Sequence, residues 1–397
     1  NATELATNFL GTNFVVEYVN LADPTDKGIE LNANGTAGSR FKLTGLSANA
    51  KYRLIAYPNP NVPGSIFKGL DAFGSDAQRL SKVTQWGTNE WKSLTSAFYN
   101  CENMDVTATD RPTLTGGISL ASMFRGCTSL VYNTSIDNWM TADVTSMGSM
   151  FTGATSFNQP IGGWNTGSVT DMGGMFTGAT SFNQPIGNWN TGNVTDMSYM
   201  FDGATSFNQP INWNVQNVIL MRGLLKGATS FNKPFGTTFA SSLANTQDIS
   251  RMFEGATSFN QPIENWNTVS VNIMANMFDN ATSFDQPLNS LKLDVGPDMT
   301  NMLYNCGMNC ENLSITLAHW ATLSKTNIYL GNLDANKFYN AQGQIAINTL
   351  RTTLNWTING GAYAPDCVTA RSWFTTVWDI TKPTNRTTNN PASTIAF

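Results

Sequence analysis

Charge is what this sequence has least of. Asp, Glu, Lys and Arg make up 12% of its 397 residues, about half the roughly 25% of an ordinary globular chain. The 22 basic and 27 acidic residues leave a formal charge of −5, with no basic run. A nucleic-acid partner is therefore not expected, because the phosphate-neutralising surface is lacking. Histidine is almost absent too, since His319 stands alone. That excludes a His-rich metal cluster and leaves one lone candidate for a Ser-His or Cys-His pair. No apolar stretch reaches the length of a membrane span, so membrane insertion is not expected. Gly-rich phosphate loops, zinc spacings and Asp-x-Asp-x-Asp-Gly loops are missing as well. No catalytic, cofactor-binding or metal-binding residue is assigned, and the chain reads as a non-enzyme.

Asn1-Ala2-Thr3-Glu4 carries neither an initiator Met nor a charged-then-apolar leader. The expectation is a mature chain or a segment of a longer one. Hydrophobic residues at 41% are ample for a core, so low charge does not mean disorder here. The place of the charges is taken by 47 Asn, 33 Gly, and many Thr and Ser.

Self-similarity decides the organisation. The run Met150 to Ile161 returns unchanged as Met175 to Ile186, and with one substitution each at Met200 to Ile211 and Met252 to Ile263. Anchored on the residue after the Met, nine copies sit at Phe98, Phe124, Phe151, Phe176, Phe201, Leu225, Phe253, Phe278 and Leu303. The residues four and one before the anchor are large and apolar, such as Met147 and Met150 before Phe151, except for Ala97 in the first copy. The spacing i, i+3, i+4 predicts one face of a helical turn. Three residues after the anchor the column is small (Ala154, Ala179, Ala204), and six after it is large again (Phe157, Phe182, Phe207). The Ser-Phe-Asn-Gln-Pro-Ile part reads as extended, because proline keeps its predecessor out of the helical region. The expected fold class is an α/β repeat, with one short strand and one short helix per coil of about 25 residues, coils stacking ~4.8 Å apart. One such coil cannot bury its apolar face without neighbours.

The unit Val-Thr-x-Met-x-x-Met-Phe-x-Gly-Ala-Thr-Ser-Phe-Asn-Gln-Pro-Ile-Gly-x-Trp, best seen at Val169 to Trp189, resembles the BspA-like leucine-rich-repeat family. Proteins of that family are secreted surface proteins of Bacteroidetes and mycoplasma-type bacteria. The resemblance covers about residues 83–367, including the first coil from Val83 to Cys101 and the exit segment from Leu317 to Ile358. It implies a leucine-rich-repeat-type solenoid of nine coils over 83–310 and a C-terminal cap over 311–367. Cys310 and Cys367 bracket that cap, and a disulfide between them is expected in an oxidising compartment. Cys101 and Cys127 share one inward column with Cys306; they read either as buried thiols or as a coil-to-coil bridge. Five cysteines leave at least one unpaired within the chain.

Residues 1–82 lose the repeat. Alternating segments at Phe14–Asn20, Gly28–Asn32, 40–46 and 51–57, divided by turn residues, predict a small immunoglobulin-like β-sandwich. The tail, residues 368–397, holds a strand-like run with Trp373, Phe374, Val377, Trp378 and Ile380. In multi-module proteins of the resembling family such a strand opens the next β-module. The tail is therefore expected to pair with a neighbouring module or subunit, giving a homo-oligomer or tandem modules head to tail.

Four repeat columns invite functional readings. Asn158, Asn183, Asn208, Asn232 and Asn260 follow the inward Phe and are expected to bond coil to coil. Trp164, Trp189, Trp213 and Trp266 could stack on sugar faces, which makes them the candidate ligand face, or pack between coils. Asp171, Asp196, Asp248 and Asp298 each precede the Met of a presumed helical turn, where negative charge suits a helix N-terminus. The Thr file from Thr155 to Thr282 lacks the flat two-wide array that ice binding needs. His319 reads as a structural residue of the cap. The functional expectation is a secreted structural and adhesive protein; the rival is a receptor for a cell-surface protein or glycan.

Overall fold

The computed structural model describes residues 5–12, 14–32, 41–43, 46–47, 50–58, 61, 66–71, 74–88, 90–91, 93–131, 135–334, 337–365 and 367. The tail residues Trp373, Phe374, Val377, Trp378 and Ile380 lie outside the described residues.

Six strands open the chain: β1 (Leu5–Thr12), β2 (Phe14–Asn20), β3 (Lys27–Asn32), β4 (Phe41–Leu43), β5 (Tyr52–Pro58) and β6 (Ile66–Asp71). They form two antiparallel three-stranded sheets, ordered β4-β1-β6 and β3-β2-β5. Strand β2 pairs with both neighbours along its length, Glu17 standing opposite Ile29 on one side and Ile55 on the other. Val16 and Leu46 are buried, with Tyr18, Tyr52, Leu54, Ala56 and Trp91 packed on them. Strands β1 and β6 were not among the segments read from the sequence, whose alternation there is weaker.

From Lys82 onward the pairing turns parallel. Lys82–Val83 pairs with Asp105–Val106, Glu90–Trp91 with Thr113–Leu114, and Ile118–Ser119 with Val144–Ser146. The contact then thins to one residue per coil, through Ser146, Asp171, Asp196, Leu220, Asp248, Ile273 and Asp298 in a single file. Each coil thus lies on the next at the repeat spacing.

The helical turn expected at Met-x-x-Met-Phe is a string of tight turns instead. Ser149, between Met147 and Met150, has φ 56°, and Gly153 has φ 70°. A left-handed residue in mid-run stops a helix. The N–H groups that a helix would spend internally alternate between two destinations. Met147, Ser149, Phe151 and Gly153 donate to the carbonyls of Asp171, Gly173, Met175 and Thr177 on the next coil, at 2.7 to 2.9 Å. Met150, Thr152 and Ala154 donate three residues back within their own coil. The apolar spacing still points inward, with Met147, Met150 and Phe151 fully buried. The glycine of the Met-Phe-x-Gly-Ala motif fills the second left-handed position, where Asn100, Asn280 and Asn305 replace it in the outer coils. Asn tolerates that conformation better than other side chains.

The extended segment also differs from expectation. Ser-Phe-Asn-Gln-Pro-Ile makes an isolated bridge only at Ile211 with Phe235 among the described residues. The pairing file sits instead on the Asp column.

Inside the coils the rings align. Phe151, Phe176 and Phe201 stack with centroids 5.7 and 5.5 Å apart, and Phe157, Phe182 and Phe207 run beside them at 5.9 and 6.1 Å. The core continues into two helices, α1 (Cys310–Thr322) and α2 (Ala341–Thr352). Asn309 caps the first by accepting the Asn312 N–H at 2.8 Å, as an N-cap amide does. Cys310 and Cys367 are joined by a disulfide. Lys337 is 6% exposed and directs its ammonium at the carbonyls of Cys306 and Met308, which gives a buried cation its acceptors.

Candidate functional site

The Trp file is not a ligand face. Trp164, Trp189, Trp213 and Trp266 are at most 3% exposed. The indoles of Trp164, Trp189 and Trp213 run parallel to neighbouring rings, Trp189 to Trp213 at 6.5 Å for instance. The indole N–H of Trp164, Trp189 and Trp213 each donates to a carbonyl one coil back, on Ile136, Ile161 and Ile186. Trp266 is packed edge-on against Phe235. A buried indole gains more by filling the gap between coils with its donor satisfied than by waiting for a sugar.

The Asn residues form a ladder. The side-chain oxygen of Asn158 accepts the backbone N–H of Asn183 at 2.9 Å, and Asn183 accepts that of Asn208 in the same way. The pattern continues from Asn208 to Asn232 and from Asn232 to Asn260. Gln184, Gln209, Gln261 and Gln286 each reinforce it by donating to the same amide oxygen of the preceding coil. At the last rung Asp285 replaces Asn. It accepts the N–H and amide of Asn309 and the amide of Asn312. A carboxylate is an acceptor only, which suits a rung that meets three donors. These amides hold the backbone that the extended segment leaves without a ladder of its own.

The Asp column serves the turn after the pairing file rather than a helix end. Asp171, Asp196, Asp248 and Asp298 each accept, through Oδ1, the N–H two residues on: Gly173, Ser198, Ser250 and Thr300. Beside this column lies a groove of about 540 Å³, bordered by Arg125, Ser149, Asp171, Gly174, Asp196 and Tyr199. Sequence reasoning missed it. The signal was the Gly173-Gly174 pair, at positions where the next coil carries Ser198-Tyr199.

Farther along the same face, Lys226 lies 3.7 Å from Asp202 and Arg251 pairs with Glu254 at 2.9 Å. Burial raises the Asp202 carboxyl above its ordinary range, with Lys226 opposing and Glu254 adding to the rise. Asp279 is raised by burial and by Glu254.

The remaining candidates stay apart. His319 is half-buried on α1, where its backbone carbonyl accepts the Thr322 hydroxyl. Cys101, Cys127 and Cys306 are free and buried, so the alternative of a bridge between coils is not realised. Burial pushes the Cys101 thiol up to about 12 and raises Cys127 and Cys306 as well; a protonated buried thiol is chemically inert. Among the described residues no three His, Cys, Asp or Glu side chains converge as metal ligands. No helix of the described residues is long and apolar enough to cross a membrane.

The family model described as Mycoplasma protein of unknown function, DUF285, matches residues 118–239, 212–320 and 240–342. These overlapping matches run through more than half of the chain, and the chain belongs to that family. No curated protein and no solved structure matches it.

Proposed function

We propose that this chain is a non-enzymatic structural and adhesive module of a bacterial cell surface, a leucine-rich-repeat-type solenoid of the BspA-like kind acting as a rigid spacer. The observation that carries the reading is the single file of parallel bridges from Ser146 to Asp298. Units that repeat by translation, each sealed to the next by backbone bonds and stacked rings, hold length and direction with little freedom to bend. At ~4.8 Å per coil, nine coils span roughly 40 Å between the N-terminal sheets and the cap. The disulfide at the far end suits an oxidising exterior.

Head-to-tail assembly completes the proposal. In the two opening sheets β3, β5, β4 and β6 are the outer strands among the described residues. An outer strand offers backbone donors and acceptors to an incoming strand. Residues 368–397 of a neighbouring copy would supply it, and an addition that repeats without closing makes a filament.

Electron microscopy of the full chain, beside a chain lacking residues 372–397, tests this. Linear assemblies of the full chain that vanish on truncation are expected. Assemblies that persist unchanged, or a full chain that stays monomeric at every concentration, would overturn it.

A further inference from the structure

A stack of parallel strands has two ends, and the last strands of this one meet no following coil among the described residues. Within the stack the forward-facing carbonyls of Thr145, Thr170 and Thr195 accept the N–H groups of Thr170, Thr195 and Ile219 one coil on. The cap continues the pairing with two short strands. Thr357–Asn359 lies parallel on Tyr329–Asn332, and Ala362–Tyr363 on Phe338–Tyr339. The Thr357 N–H bonds back to the Ile328 carbonyl, and the Asn359 carbonyl accepts the Leu333 N–H. Alternation along the strand then turns the backbone groups of Ile358 forward, away from the stack. Such an edge is a template for an incoming strand, above all the same edge of a second copy.

Arg351 stands on that edge. It is half-buried in the last turn of α2. Its Nε and Nη2 donate to the Ile358 carbonyl at 3.1 and 2.8 Å, and Nη2 also reaches the Gly360 carbonyl at 3.4 Å. The guanidinium fork supplies the donors that a further coil would bring. Two other features break up the same edge. Gly360 and Gly361 hold φ 71° and 69° between the strands, and a Cβ at Gly360 would lie 2.0 Å from the Leu333 carbonyl oxygen. That left-handed pair divides the edge into pieces of three and two residues. Pro365, which has no N–H to offer, comes next, and the Cys367 N–H closes a turn onto the Ala364 carbonyl. In the opening sheets β3 and β5 run to six and seven residues.

We propose that Arg351 is an autoinhibitory contact: it occupies the forward edge of the cap and keeps two copies from joining cap to cap. Strand addition is thereby left to the opening sheets, which gives head-to-tail growth a single direction. The contact itself does not involve the tail, so it stands or falls apart from the assembly reading.

Asn359 is exposed beside Ile358 and gives a reporter. The full chain carrying Asn359→Cys, with and without Arg351→Met, is treated with a short bismaleimide and run on a denaturing gel. Arg351→Met keeps an unbranched side chain but no donor. It is expected to raise the yield of linked dimer by about tenfold, from the carbonyls set free to pair. Thr180→Cys, exposed on the coils, should show no such rise when combined with Arg351→Met. If Arg351→Met loses the parent's thermal unfolding curve, Arg351→Lys is read in the same way and should also raise the yield, because one ammonium cannot replace the fork. Removing residues 372–397, the test of the assembly reading, should leave the rise unchanged. Equal linkage with and without the guanidinium, an equal rise at position 180, or a rise that needs residues 372–397 would overturn the inference.

Discussion

The opening sheets and the stacked coils solve the same problem with opposite materials. In the sheets the backbone pairs antiparallel over uneven sequence separations, from Val16 opposite Glu30 to Asn8 opposite Asp71, and two side chains, Val16 and Leu46, form the buried centre among the described residues. Charged groups carry part of the load: Asp26 accepts from the Tyr52 hydroxyl, from Asn20 at 3.0 Å and from Ser47 at 2.7 Å. In the coils the pairing partners lie about one repeat away, and one unbroken apolar core runs from Ala77 to Ile358. Polar bonds there run chiefly between amides, hydroxyls and backbone, joined by the carboxylates of the Asp column and Asp285 and by the pairs Lys226–Asp202 and Arg251–Glu254. Repetition allows this, since identical neutral groups can stack in register, whereas identical charges would repel. The scarcity of charge in the sequence follows from the stacking.

The largest test of that contrast is Phe176→Ala. The ring is fully buried and stacked on Phe151, Phe182 and Phe201. Its loss should destabilise the coils by about 3–5 kcal/mol, seen in urea unfolding followed by the fluorescence of the buried Trp residues. Amide protection on β2 and β5 should not change. A cost below about 1 kcal/mol would mean that neighbouring coils collapse onto the gap, and the unbroken core would lose its importance. A smaller effect is expected from Asn183→Ala. It removes the acceptor for the Asn208 N–H and the Gln209 amide, and at a half-buried position should cost about 1 kcal/mol. Asn183→Asp keeps the acceptor and should recover most of it.

How much of this was legible beforehand divides along the same line. Exact repetition exposed the inward columns, because every copy votes on the same position, and Met147, Met150, Phe151 and Phe157 are all buried as read. The Asn ladder followed from identical amides at identical places. What failed was the local conformation. The spacing i, i+3, i+4 is helical, yet a residue at φ 56° sits inside it, and nothing in the identity of Ser149 or Tyr199 announces a left-handed backbone. Ladder bonds to the next coil decide it, and those are invisible to a local pattern. The Trp file left sugar stacking and packing between coils both open for a similar reason: aromatic identity names no direction, and only the carbonyl one coil back explains why the indole turns in and packs. The groove was hidden because it is the absence of a side chain.

Acid separates the two regions most subtly. Asp26 is held below its ordinary value, first by the Tyr52 hydroxyl and then by Asn20 and Ser47. Its contribution is present above the unfolded value and is lost as pH falls through the depressed folded value. Asp202 runs the other way. Burial raises its folded value, so protonation favours the folded coil, and stability is gained as pH falls through the raised value towards the unfolded one. Lowering pH from neutral into the carboxylate range should therefore loosen β2, β3 and β5 while the coils around Asp202 hold or tighten. Hydrogen exchange, corrected for intrinsic rates, reads both at once: protection at Glu17 and Leu54 should fall, and that of Gly203, bonded to the Lys226 carbonyl, should not. Asp26→Asn should flatten the response of the sheets, and Asp202→Asn that of the coils. Parallel loss of protection in both regions would mean that the sheets and the coils unfold as one unit, and the contrast between them would then describe composition alone.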